Sequence, residues 1–173
     1  MLVVTAPALA TEPASTGENR MSLNDTAAPR LAIPALGGLY DALAPYSYPL
    51  IRFATGAILV PHGYGKLFHG GVNGLAGNLD KMGFHPGIIW AYWVGGLEFF
   101  GAIMLAIGLL TRPVALMLFV EMVVIVFGVH ISQGYFWTSR GVEYPLLLGV
   151  LCLAIFFRGG DRLSVDRALG REL

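Results

Sequence analysis

GIIWAYWVGGLEFFGAIMLAIGLLTRPVALMLFVEMVVIVFGVHI, residues 87–131, holds two long apolar runs joined by Thr111, Arg112 and Pro113. A helix needs about 20 apolar residues to cross about 30 Å of hydrocarbon, and each run reaches that length. The spacing predicts one helix from Gly87 to Leu110 and another from Pro113 to Ile131. Pro113 lacks an amide donor and suits a first helical turn, so the two are expected to form a tight antiparallel hairpin. Working outward, similar runs extend from Tyr48 to His69 and from Val142 to Phe157. The expected fold is therefore all-α: an integral membrane four-helix bundle over residues 46–158, antiparallel up-down, with both termini cytoplasmic.

The composition agrees. The chain of 173 residues is 55% hydrophobic and 13% charged, with a mean hydropathy of +0.66, too apolar for an ordinary soluble domain of this size. Its formal net charge of +0 and the absence of a basic patch interleaved with aromatics leave no electrostatic case for nucleic acid. The expected partners lie in or beside the bilayer, membrane lipids first. Residues 1–45 read as a disordered or interfacial tail, because TEPASTGENRMSLNDTAAPR cannot bury enough apolar surface to offset its ordering entropy. MLVVTAPALA carries the small residues of a leader without its basic start, and Met21 is a second candidate start of translation. LAIPALGGLYDALAPYSY is expected to form an interfacial helix broken by Pro34 and Pro45. Leu75, Leu79 and Met82 are spaced for a short amphipathic helix on the membrane surface, and residues 159–173 for a basic amphipathic tail.

Basic residues in the short flanks set the expected orientation. Arg20, Arg30, Arg52, Arg112, Arg158, Arg162, Arg167 and Arg171 fall on one side, and Lys66, Lys81 and Arg140 on the other, which places both termini inside. Trp90, Tyr92, Trp93, Tyr135, Phe136 and Trp137 then form an aromatic belt at the outer interface. The expected location is the bacterial inner membrane, multi-pass.

Ionisable residues within spans cost at least about 2.5–3.5 kcal/mol on insertion scales, so they normally face protein or a cavity and have a partner. Arg52, Thr55, Leu59, His62, Lys66 and His69 recur every three or four residues and share one helix face. Gly56, Gly63 and Gly70 repeat every seven residues beside it and would admit a close neighbour. Glu98 and Glu121 sit near mid-depth, Glu143 and Tyr144 open the last span, and His130 lies nine residues beyond Glu121, on the opposite side of that helix. Each has a bland alternative. Arg52 could snorkel to phosphates or pair with a glutamate; Lys66 and His69 could cap the end of their helix; Glu121 could serve as interhelical glue. Cys152, the only cysteine, excludes a dithiol relay within the chain and reads as a core residue. His62 and His130 could ligate a haem, on weak grounds. No metal-ligand spacing, phosphate loop or Ser-His-Asp pattern is present.

RFATGAILVPHGYGKL, GGLEFFGAIMLAIGLLTRPVA and VHISQGYFWTSRGVEYPLLL, taken in order, resemble the successive signatures of the DoxX family of bacterial four-helix membrane proteins, over roughly residues 50–170. The resemblance implies a site made from Arg52, His62, Lys66, Glu98, His130, Glu143 and Tyr144, but not Glu121 or Cys152. The family takes its name from a subunit of a thiosulfate:quinone oxidoreductase. The resemblance thus implies the membrane subunit of a redox system, with His62, Lys66, Glu98 and Glu143 in the chemistry and Arg52, His62, His130 and Tyr144 holding a quinone or another small carrier. A soluble redox enzyme or a second copy of the chain are the partners that reading admits. Two alternatives stay open: a non-catalytic module that recruits a partner enzyme, and a small-solute or proton pathway. Where many relatives have paired glycines after the glutamate, EFFG stands here, so Phe99 or Phe100 is expected to narrow the cavity beside Glu98.

Overall fold

The computed structural model describes residues 31–172. The leader-like start, Met21 and most of the N-terminal tail lie outside them. The described residues divide between two units, 31–37 and 38–172. Of the first, the described part holds a short 3-10 turn, Pro34–Leu36. Every regular element among the described residues is helical.

Helix α1, Gly37–Phe68, runs unbroken through Pro45, Pro49 and Pro61. The interfacial helix and the first span expected from sequence are thus one rod, and Pro45 does not break it. A proline inside a helix removes one amide donor, and the bonds of the neighbouring turns carry this 32-residue helix past each one. Ser47 Oγ donates to the Ala44 carbonyl at 2.7 Å and Thr55 Oγ1 to that of Ile51 at 2.8 Å. Gly70, with φ +75°, turns the chain into α2, Gly71–Lys81. Helix α2 presents Val72, Ala76 and Leu79 to Ala91 of the next helix, so its buried stripe is offset from the Leu75, Leu79 and Met82 expected. Asp80 Oδ1 accepts the Gly87 amide at 2.7 Å and contacts His85 Nδ1 at 3.0 Å. These two bonds, the Gly87 amide first, hold the Asp80 carboxyl below its ordinary value.

The stretch that opened the sequence reading forms the expected hairpin. Helix α3, Gly87–Gly96, passes through a π turn, Leu97–Gly101, into α4, Ala102–Ile107. Helix α5, Thr111–Val124, passes through a second π turn, Ile125–His130. The two composite helices, Gly87–Ile107 and Thr111–Gln133, have mean hydropathies of 1.6 and 2.5 and are long enough to cross a membrane. Helix α6, Glu143–Arg158, is shorter, about 24 Å at 1.5 Å per residue, and a single turn, α7, Val165–Ala168, follows.

One apolar core joins Leu59 of α1, Ala102 and Leu105 of α4, Val114, Ala115, Leu118 and Met122 of α5, and Leu148, Cys152 and Ile155 of α6. Outward faces carry large apolar side chains instead: Leu50, Phe53, Phe100, Phe127 and Phe157 are all more than half exposed. That inside-out pattern suits a hydrocarbon surround. Two of the heptad glycines set the approach of α1 to the α3–α4 helix. A Cβ at Gly63 would strike the Glu98 and Phe99 backbone, and one at Gly56 would meet Ala102 and Ala106. Gly70 faces open space and serves the turn instead.

The C-terminal residues are tied down by polar contacts. Asp166 is buried and accepts from the Leu110 amide at 2.7 Å, the Thr111 amide at 2.9 Å and the Thr111 hydroxyl at 2.7 Å. The start of α5 lacks a side-chain cap of its own. A carboxylate from 55 residues downstream supplies it, where orphan amides and the helix dipole favour negative charge. Arg112, read from sequence only as a cytoplasmic charge, donates to the Phe156 and Phe157 carbonyls at the end of α6.

Candidate functional site

Five of the seven residues carried over from the resemblance converge. His62 and Lys66, four apart on α1 and hence on one face, line a cavity of about 170 Å³ with Glu98, His130 and Tyr144. Leu59, Met122, Ile125 and Leu148 form its apolar side. Glu98 is only 3% exposed and pairs with Lys66, which is 25% exposed. The pair holds the long Lys66 side chain across the gap that Gly63 leaves, so the glycine stripe and the ion pair belong to one arrangement. Lys66 is therefore not a mere helix cap. The His62 and Tyr144 rings stand 6.0 Å apart. His130 Nδ1 hydrogen-bonds the Arg140 carbonyl, which fixes the ring and leaves Nε2 as its other polar atom.

Glu98 lies within the π turn Leu97–Gly101, and His130 ends the π turn Ile125–His130. A π turn inserts one residue into the helical repeat and re-aims the side chains after it, a device common at functional sites. Here two successive residues both meet α1, Glu98 at Lys66 and Phe99 at Tyr64 and Phe68. Neither Phe99 nor Phe100 lines the polar cavity, so the narrowing expected from EFFG does not occur. The apolar run 87–131 carries no signal of these turns.

The two remaining candidates stand elsewhere. Arg52 is buried midway along α1, where its Nη2 donates to the Leu163 carbonyl at 2.5 Å. It neither snorkels nor pairs with Glu98, because the C-terminal segment folds over it. Gly108, at φ +73°, leaves the space the guanidinium occupies. Glu143 does not line the cavity; its Oε2 accepts the Trp137 amide at 3.1 Å, bracing the aromatic loop. His69 is exposed beside Tyr64, and His85 belongs to Asp80. Asp166 was the polar residue that sequence reasoning missed. Its cue is Ser164 two residues earlier, which caps α7, but nothing local reveals a bond to a turn 55 residues away.

The DoxX family model matches residues 48–131, the stretch that supplies His62, Lys66, Glu98 and His130. The chain is also 30% identical over 125 residues to an uncharacterized protein of Haemophilus influenzae, covering 70% of this chain and 90% of the relative. The chain belongs to the DoxX family. No solved structure matches it. As a DoxX protein with two helices long and apolar enough to span, it is a membrane protein.

Proposed function

We propose that this DoxX protein is the membrane subunit of a redox system and that its polar cavity receives the head of a quinone or a similar small electron carrier. The observation that carries the reading is the convergence of His62, Lys66, Glu98, His130 and Tyr144 on one cavity. In this reading α1, the Gly87–Ile107 helix, the Thr111–Gln133 helix and α6 are four antiparallel spans in the bacterial inner membrane, with both termini inside and the cavity in the outer half.

A quinone presents two carbonyl oxygens on a flat ring. Pockets for drug-sized ligands measure about 300–1,000 Å³, so a cavity of about 170 Å³ accepts a ring-sized head group and leaves an isoprenoid tail in lipid. The Lys66 ammonium and the His62 imidazole donate toward one carbonyl. Tyr144 offers a hydroxyl, and Glu98, already paired with Lys66, sits where a proton is needed when a quinone oxygen is reduced. The Lys66 charge is matched by Glu98, so the site is electrically balanced before a neutral ligand enters.

Alanine replacement separates this reading from a module that only recruits a partner enzyme. His62→Ala and Tyr144→Ala are expected to abolish ligand binding while the protein stays folded and monodisperse in mild detergent. If both variants bind a short-chain quinone as the parent does, the polar cavity is not the site.

A further inference from the structure

A second cavity, of about 380 Å³, lies between α2, α3 and α5 and shares no lining residue with the polar one. Its walls include Phe84, Trp90, Trp93, Leu97 and Met117, and of the residues that line it only Glu121 is ionisable. Glu121 is 8% exposed, and neither of its carboxylate oxygens has a hydrogen-bond partner among the described residues. No lysine, arginine or histidine lines the groove. The nearest ammonium, that of Lys66, is already engaged by Glu98.

We infer that this groove binds a lipophilic monovalent organic cation, an aryl or alkyl ammonium or phosphonium, with Glu121 as its counter-ion. The inference is independent of the function proposed for the polar cavity. A carboxylate with vacant acceptor sites in an apolar setting calls for a positive partner, since an isolated buried charge is strongly disfavoured. Aromatic faces attract cations through the negative face of the ring, tryptophan best of all. Aliphatic walls exclude hydrated metal ions and favour a cation with an apolar coat. The volume falls in the range of small-molecule sites.

Tetraphenylphosphonium is the probe, titrated into the full chain in mild detergent and followed by quenching of tryptophan fluorescence. Wild type should bind it saturably. Glu121→Gln, an isosteric change that removes the charge, should weaken binding about tenfold or more. Glu121→Asp should retain it, and Trp93→Ala should weaken it with the charge intact, which keeps the test valid if the glutamine variant fails to fold. Three results would each overturn the inference: no saturable binding by wild type, equal binding by a folded Glu121→Gln, or neutral triphenylphosphine oxide binding as tightly as the cation.

Discussion

Lys66 and Glu98 show how much one ion pair can organise. Glu98 is almost completely enclosed, so removing its ammonium leaves a buried charge without compensation, and breaking such a pair costs more than the pair itself contributes. Lys66→Ala should lower stability by about 2–3 kcal/mol, below the range for fully buried pairs because Lys66 is partly exposed. Adding Glu98→Gln should recover much of that loss, as thermal unfolding in detergent would read. A recovery is the signature of a stranded carboxylate; two additive losses would mean that the residues act separately. At the α2–α3 junction, Asp80 makes a prediction in pH. Its folded value is depressed by the Gly87 amide and then by His85. Its contribution is therefore present above the pH at which an unfolded aspartate titrates and fades as pH falls through the lower folded value. Hydrogen exchange at the Gly87 amide should accelerate over that acidic window in wild type and be fast throughout in Asp80→Ala.

At the scale of elements, helices α1 to α6 and their junctions were largely legible because each rests on local chemistry. The apolar run 87–131 specifies a hairpin, but its turn is Gly108–Leu110 and not the expected Thr111-Arg112-Pro113, which already form the first turn of α5; the Gly56 and Gly63 spacing announces a close neighbour for α1. The break expected at Pro45 failed because one proline removes a single amide donor, which the bonds of the neighbouring turns in a 32-residue helix outweigh. What remained hidden is non-local or cryptic in the residue pattern. The resemblance carried Arg52 and Glu143 into the site, yet the Leu163 carbonyl and a loop amide claim them. Glu98 and His130 were legible as candidates, but the π turns that aim them were not. Two predictions belong here. Gly63→Leu places side-chain atoms where the Glu98 and Phe99 backbone runs, and since backbone cannot rotate away, the cost should reach the upper part of the overpacking range, about 3 kcal/mol, with loss of the Lys66 pair. Asp166→Ala uncaps α5 and should cost about 2 kcal/mol, measurable as a lowered unfolding temperature, whereas Arg171→Ala on the same segment should be silent.

Taken whole, the molecule combines an apolar exterior with polar groups gathered inside, the arrangement expected where the surround is hydrocarbon and buried charge must find its partner within the protein. The aromatic residues Trp90, Trp93, Tyr135, Phe136 and Trp137 are partly or largely exposed, fitting an interfacial belt, and the orientation proposed from the basic flanks puts both termini in the cytoplasm. In a Cys152→Ser background, a cysteine introduced at Gln133 should react with an impermeant maleimide in intact cells, while one introduced at Arg167 should react only after permeabilisation. The reverse pattern would invert the orientation. The central claim is that His62, Lys66, Glu98, His130 and Tyr144 form a site for a small lipid-soluble carrier. Its most direct test is mass spectrometry of the lipids that copurify with the protein in mild detergent, beside the His62→Ala/Lys66→Ala variant and the parent membrane. Quinone enriched over the membrane in wild type, and at background in a variant that remains folded, is the predicted result. Quinone at background in both, or equally enriched in both, would contradict the account.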